Sequence, residues 1–201
     1  MFKHIIQINE QSILIDFGSK IDIQINKVVN LYSEKIINNS KILKELNIKN
    51  CVPSYNKILI QFDPLNSKKE GIIDYIKSIK ISKNQVISKS KIIEIPICYD
   101  EVCGLDLKEI SRKTKISKKE IMNIHLSTIF HVYMIGFLPG LPFMGDMNKK
   151  ILIPRKMSPR VKVPKGSVGI VDNLSVIYPQ ESPGGWNIIG RTPINLFNKN
   201  N

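Results

Sequence analysis

From Gly136 to Pro193 proline or glycine recurs every few residues, and that punctuation limits what the chain can fold into. Proline lacks the amide hydrogen that a helix interior or central strand needs, and glycine opens backbone conformations that other residues avoid. The apolar runs between them are short. Long helices are therefore excluded from the C-terminal third, and the texture predicts short strands joined by functional loops, a β-barrel or sandwich and not βαβ units.

The N-terminal half is patterned differently. Phe2 to Ile8 and Ser12 to Phe17 read as two strands separated by Asn9-Glu10-Gln11. Val28, Leu31, Tyr32, Lys35 and Ile36 follow helical spacing between about Ile21 and Asn38. Cys51 to Ser54 and Lys57 to Phe62 form a second strand pair, and Ser67-Lys68-Lys69-Glu70 has the form of a capping box for a helix through Ile79. The order ββαββα predicts a small α+β domain over 1–82, with helices covering one face of an antiparallel sheet. A polar stretch at 83–91 is the expected linker, leaving 92–201 as a second domain. There a strand is expected at Ile92 to Cys98 and a short helix from Asp106. Ser117-Lys118-Lys119-Glu120 should open a further helix reaching about His125, and Thr128 to Phe137 reads as a buried strand.

The formal charge of +13 invites a nucleic-acid reading, so its source matters. Lysine supplies 26 of the positive charges and arginine only 4, in a chain with 37 Ile, 18 Asn and no Ala. That skew has the mark of AT-rich coding, and the lysines are scattered from Lys3 to Lys199 without gathering on one segment. Nucleic acid is not an expected partner; anionic small molecules or acidic proteins are electrostatically favoured. Ile121 to Gly145 carries no charged residue for 25 positions, long enough to cross a bilayer, but its prolines and glycines prevent one continuous helix. A cytoplasmic protein without a membrane span is expected. Cys51, Cys98 and Cys103 are too few for a disulfide framework, and neither they nor His125 and His131 have metal-site spacing, so no metal is expected.

No G-x-x-x-x-G-K-[ST], G-x-G-x-x-G, G-x-S-x-G or H-E-x-x-H motif is present. The chemistry-bearing residues gather in the last third instead. Gly136, Pro139 and Gly140 follow an apolar run directly, where a main chain can approach a ligand closely. Pro154-Arg155 recurs as Pro159-Arg160, and with Arg191 this segment holds three of the four arginines. Rigidly placed guanidiniums suit bidentate binding of carboxylate or phosphate; equally, they can pin loops by bonding carbonyls. Ser182-Pro183-Gly184-Gly185-Trp186 reads as a type II turn with Gly184 at positive φ, presenting the lone tryptophan either as a core anchor or as a cleft wall. Glu181 and Asp172 are the only acids after Asp146. His125 is the one acid/base candidate near these loops, and a structural histidine is the competing reading.

Taken in order, these motifs resemble one family. Gly136 to Pro142, Pro154 to Arg160, Val163 to Ile170, Tyr178 to Trp186 and Ile189 to Pro193 match the linked patterns of the family of KipI and the 5-oxoprolinase B subunits, also called allophanate hydrolase subunit 1, of the carboxyltransferase subdomain C and D type. Ile13 to Gly18, Val52 to Tyr55, Phe62 to Pro64 and Ile95 to Tyr99 agree with it. The resemblance implies an α+β N-terminal domain followed by a cyclophilin-like β-barrel. It further implies a role as the B subunit of an ATP-dependent 5-oxoprolinase that opens 5-oxoproline to glutamate. Such a chain is inactive alone and assembles with the A and C subunits of that enzyme, the latter KipA-like. The sites it carries over are His125, Arg155, Arg160 and Arg191 as catalytic residues. The substrate-binding set is Gly136, Pro139, Gly140, Gly166, Ser167, Ser182, Gly184, Gly185 and Trp186. ATP is the implied cofactor, shared with a partner because the chain has no phosphate loop. The alternative function the family offers is inhibition of a sporulation histidine kinase. Leu141, Phe143 and Asp146 depart from the usual pattern, and the chain stops at Asn201 short of the last strand of most relatives; a missing barrel strand would expose an edge, either covered by a partner or left as a weakened barrel.

Overall fold

The computed structural model describes residues 2–82 and 91–198, and its chain divides into two units, Met1–Lys91 and Ile92–Asn201. The expected linker at 83–91 lies, but for its last residue, outside the described residues.

In the first unit, β1 (His4–Asn9), β2 (Ser12–Asp16), β3 (Ile48–Pro53) and β4 (Lys57–Phe62) form an antiparallel sheet in the order β1-β2-β4-β3. Alternation decides which face is buried. Ile13 pairs with Ile60 and Ile15 with Ile58, and all four are fully buried. Against them pack Val29, Tyr32 and Ile36 of α1 (Ile23–Ile37) and Ile72 and Ile76 of α3 (Lys69–Ser78). A short α2 (Ser40–Glu45), capped by Asn39, joins α1 to β3 and was not expected from periodicity. α1 starts where Asp22 accepts the amides of Gln24 and Ile25, an N-cap that orphan helix donors require. The expected box at Ser67 does not form: α3 begins one residue later, Lys68 holds the cap position, and the Ser67 hydroxyl is buried without a hydrogen bond.

In the second unit the α+β reading also holds, in a different proportion. α4 (Leu107–Thr114) and α5 (Lys118–Ser127) precede seven strands. β5 (His131–Ile135), β6 (Pro142–Gly145), β8 (Ser167–Val171), β9 (Leu174–Ile177) and β11 (Asn187–Arg191) make one antiparallel sheet in the order β11-β8-β9-β6-β5, while β7 (Arg160–Val163) and β10 (Ser182–Gly184) pair as a separate ribbon. Here Ser117 does cap α5, accepting the Glu120 amide at 3.1 Å. Three expectations need correction. Among the described residues the five-stranded sheet is open, with β11 and β5 at its edges, and no closed barrel is seen. Prolines at 142, 154, 159, 164, 179, 183 and 193 interrupt the ladder and hold the strands to three to five residues. Ile92 to Cys98 is no strand; it contributes a single bridge, Cys98 to Arg191. The run at Thr128 to Phe137 contributes a five-residue edge strand with Val132 and Ile135 exposed, because apolar, β-branched composition does not distinguish a central strand from an edge.

Asn26 is the buried polar keystone of the first unit. Fully enclosed on α1, its side-chain amide donates to the Ser54 and Tyr55 carbonyls at 3.2 and 2.9 Å, closing the β3–β4 connection onto the helix. Asn26→Ala should strip both carbonyls of that donor and destabilise the protein by about 2 kcal/mol, read as a lower urea midpoint with an unchanged slope.

Candidate functional site

Tyr178 is the centre around which the glycine- and arginine-bearing loops assemble. Its ring is buried with Leu141, Val163, Val176 and Ile188, and Leu138, Phe143 and Trp186 pack on the same cluster. Its hydroxyl faces the Gly184 backbone. Gly184 lies so close to that hydroxyl that any β-carbon would collide with it, so the second position of the Pro-Gly-Gly run is required for close approach. The expected type II turn is not made: Ser182–Gly184 is strand β10, opposite Arg160–Val163, and Gly184 is not among the residues at positive φ. The tight contact at Tyr178 fixes this glycine, where the dipeptide alone suggested a turn.

Arg155 and Arg160 both reach this neighbourhood. Burial raises the Tyr178 pKa while the two guanidinium charges oppose the rise. Their circumstances differ. Arg160 forms a bidentate pair with Asp106 at 2.8 and 2.6 Å, and the Asp106 carboxylate also accepts Lys156 at 2.9 Å and the Ile188 amide at 2.7 Å. Asp106 is only 2% exposed. Burial alone would push its pKa up, but Arg160, the Ile188 amide and Lys156 outweigh that cost and hold it below the ordinary carboxylate value. Glu109, bonded to Lys113 and Lys156, is lowered to about 2. Arg155 has no carboxylate partner among the described residues, is solvent-exposed, and lies along Gly185, where a β-carbon would sit 2.6 Å from its Nε. Lys156 N–H donating to the Gly185 carbonyl at 2.9 Å and the Asn187 side chain donating to the Pro154 carbonyl at 2.9 Å strap 154–156 against 185–187.

Trp186 is half-buried, edge-on to Phe143 with ring centroids 5.9 Å apart, and Gly169 makes room for its β-carbon. Gly136 donates to the Leu141 carbonyl at 3.0 Å, and Gly140, at φ +79°, is backed by Phe197; Pro139 is exposed between them. Through Leu138 and Leu141 this loop joins the cluster that holds Tyr178 and Trp186. Ser182 is half-buried, its hydroxyl donating to the adjoining Pro183 carbonyl at 3.4 Å.

Gly166 and Ser167 flank the Tyr178 main chain: the Gly166 amide donates to the Tyr178 carbonyl at 2.7 Å and the Tyr178 amide to the Ser167 carbonyl at 2.9 Å, while Arg191 lies at the end of β11 away from Trp186. β8 and β11 pair Ser167 with Arg191 and Ile170 with Asn187, so Arg191 stands four residues, about 13 Å of strand, from the end carrying Trp186. Arg191 Nε donates to the Lys165 carbonyl at 3.0 Å. Gly166, at φ +79°, leaves no space for a β-carbon against the Thr192 carbonyl. Ser167 is buried in β8. His125 sits in the second unit's main core, 5% exposed, sharing a 2.7 Å hydrogen bond between Nδ1 and the Tyr99 hydroxyl and packing on Phe130 with centroids 5.0 Å apart. Burial lowers its pKa to about 4, so the ring is neutral at pH 7, and Nε2 has no partner. Asp172 turns the β8–β9 hairpin at φ +48°, and Glu181 pairs with Lys162 at 3.5 Å on the surface. No group of three metal-ligating side chains occurs among the described residues.

Sequence reasoning missed Asp106 and Tyr178. Asp106 reads as a helix start, yet its side chain makes no cap and turns to partners 50 to 82 residues away, a separation that leaves no local signal.

Residues 3–201 match the carboxyltransferase domain, subdomain C and D, family. The chain belongs to that family. It is 34% identical to the 5-oxoprolinase B subunit of Bacillus subtilis (strain 168) over 95% of this chain and 82% of that protein. With the protein of the same name from Haemophilus influenzae it shares 30% identity, over 98% of this chain and 89% of the relative. The crystal structure of TTHA0988 superposes with a TM-score of 0.83 at 25% identity, covering 95% of this chain and 36% of that longer one. These family relatives are named as enzyme subunits and not as kinase inhibitors. Among the described residues, no helix is long and apolar enough to cross a membrane.

Two stability measurements follow from the site. Asp106→Asn should cost about 3 kcal/mol at neutral pH, since it removes the charge that Arg160 and Lys156 neutralise. The difference from the parent should shrink as pH falls below about 4, because a carboxyl with a lowered folded pKa contributes above its unfolded pKa of 3.8 and loses that contribution on protonation. His125 titrates at 6.5 unfolded and about 4 folded, so the parent should lose about 3 kcal/mol as pH falls between those values. His125→Leu should flatten that limb of a stability-against-pH curve.

Proposed function

We propose that this chain is the B subunit of an ATP-dependent 5-oxoprolinase and contributes the substrate-carboxylate contact to a site completed by its partner subunits. Similarity to relatives named as 5-oxoprolinase B subunits over most of both chains supports the activity. The observation that carries the local role is Arg155: an exposed guanidinium without a carboxylate partner among the described residues, laid against Gly185 in the Ser182–Trp186 segment.

5-Oxoproline is a five-membered lactam bearing a carboxylate. Arg155 suits that carboxylate, since a planar guanidinium takes both oxygens at once. Trp186 offers an apolar wall to the ring, and the Gly136–Gly140 loop borders the same cluster. Arg160 plays a different part: already committed to Asp106, it holds the β7–β10 ribbon and the Gly184 backbone in place without meeting the substrate. In the reaction water adds to the lactam carbonyl, the C–N bond breaks, and the nitrogen takes a proton to leave the amine of glutamate. His125, neutral and enclosed beside Tyr99, supports the core and does not exchange that proton.

The Arg155 fork matches one carboxylate, and the chain has no phosphate loop, so ATP is assigned to the partner subunits. Those partners are the enzyme's A and C subunits, the latter KipA-like, and the second unit is read as a cyclophilin-like module whose open sheet is completed in the assembly.

The test is to co-express the three chains and measure ATP-dependent glutamate formation with each omitted in turn; every omission should abolish it. In the full assembly Arg155→Ala should lower turnover on the order of 100-fold while the subunits still copurify, because the side chain has no carboxylate partner among the described residues to lose. Near-normal turnover by that variant would remove Arg155 from the site.

A further inference from the structure

Arg155 stands in a segment that belongs to no strand, so no ladder fixes its backbone. Three hydrogen bonds do that instead, and they come at successive points along the chain. The Ile153 carbonyl accepts the Asp172 amide at 2.7 Å, the Pro154 carbonyl accepts the Asn187 side-chain amide at 2.9 Å, and the Lys156 amide donates to the Gly185 carbonyl at 2.9 Å. Arg155 is therefore held on both sides by main-chain atoms of its immediate neighbours. The middle bond is the one made by a side chain. Asn187 is 2% exposed in β11, opposite Ile170 of β8, and the same amide donates to the Ile170 carbonyl at 3.3 Å.

That double use explains the residue type. A primary amide carries two N–H groups on one planar nitrogen, whereas a serine or threonine hydroxyl has one proton to give and a carboxylate has none. Glutamine has the same head group, but its extra methylene would have to fit a closed site. One planar group thus ties the sheet and the arginine-bearing strap to each other. Pro154 itself is exposed, so its carbonyl can turn to water when the tether is removed, and the strap loosens without leaving a buried acceptor there.

We propose that Asn187 is a positioning residue for Arg155: by donating at once to Ile170 in the sheet and Pro154 in the strap, it sets where the guanidinium stands along Gly185 and so how well it meets a ligand carboxylate. The inference rests on the reading of Arg155 as the contact to the 5-oxoproline carboxylate. Asn187 does not touch the substrate; it acts through the backbone on which Arg155 is mounted. Misplacement of a binding group by a fraction of its own length is enough to lose most of its contribution.

The experiment is a double-mutant cycle in the assembled three-chain enzyme, with glutamate formation measured against both 5-oxoproline and ATP. Asn187→Ala should raise the KM for 5-oxoproline about tenfold and leave the KM for ATP unchanged. In an Arg155→Ala background the same substitution should change kcat/KM for 5-oxoproline by less than about twofold, since the group it positions is gone. Should Asn187→Ala fail to assemble, Asn187→Ser takes its place in the cycle, its single proton being unable to serve both carbonyls. Gly185→Ala approaches from the other side, because its β-carbon would lie 2.6 Å from Arg155 Nε, and it should raise the same KM only while Arg155 is present. A rise in both KM values, or an Asn187→Ala loss that persists in full without Arg155, marks a merely structural residue and overturns the proposal. So does an unchanged KM for 5-oxoproline in Asn187→Ala when Arg155→Ala is costly; in each of these results the reading of Arg155 stands. Near-normal turnover by Arg155→Ala alone is the separate result that removes that reading, and the role of Asn187 with it.

Discussion

The second unit is organised around one buried carboxylate. Asp106 is nearly inaccessible, and an isolated charge there would be expensive; three donors from three separate segments make it tolerable. Each donor is thereby tied to the others. Arg160 is at the start of β7, Lys156 on the strap before it, and the Ile188 amide in β11, while Asp106 itself leads into α4. Asp106 N–H also donates to the Ile188 carbonyl at 2.8 Å, so the helix start is bonded to β11 from both sides of one residue. The strap that carries Arg155 is held by this network at Lys156 and by Gly185 and Asn187 at its other contacts. An exposed guanidinium is thus presented from rigid backbone, which a ligand contact requires if its ordering is not to consume the binding energy.

Both arginines of the repeated Pro-Arg pair lie near Tyr178, yet they do different chemistry, and the difference follows from what faces each. Arg160 meets a carboxylate fixed by two other bonds, so its planar fork is filled and it acts as a brace. Arg155 lies against Gly185 and has no carboxylate partner among the described residues. A lysine at position 160 could neutralise Asp106 but could not span both of its oxygens, and Lys156 already occupies the point-charge role. The same logic applies to Arg191, whose Nε donates to one carbonyl and braces the turn at Gly166.

Where local physics sets the structure, it was legible. The Ile13/Ile15 and Ile58/Ile60 alternation, the helical spacing of Val28 to Ile36 and the Ser117 cap all describe contacts within a few residues or a period that repeats. The failures have one cause. Ser67 and Ser117 open the same Ser-Lys-Lys-Glu sequence, but only Ser117 caps, because tertiary context decides where each helix starts. Pro183-Gly184 reads as a turn until Tyr178 is known to lie against the glycine. His125 looked like an acid/base group because its neighbours in sequence are loops; its neighbours in space are Tyr99 and Phe130. Asp106 carried no signal, since its partners are assembled only by the completed fold.

The charge balance is informative for a related reason. Lysines on this surface make ordinary exposed pairs, such as Lys162 with Glu181 and Lys118 with Glu101, which contribute little to stability and do not direct a ligand. The net charge of +13 therefore sets a diffuse field that favours anions without placing them. Placement comes from desolvation and backbone restraint, and these act at few positions: Lys156, mostly enclosed between Asp106 and Glu109, is the lysine that behaves like the arginines. Burial would lower its pKa, but the two carboxylates reverse that and hold it protonated. The useful cations of this molecule are the ones whose surroundings restrict them, and among those Arg155 keeps a face turned to solvent.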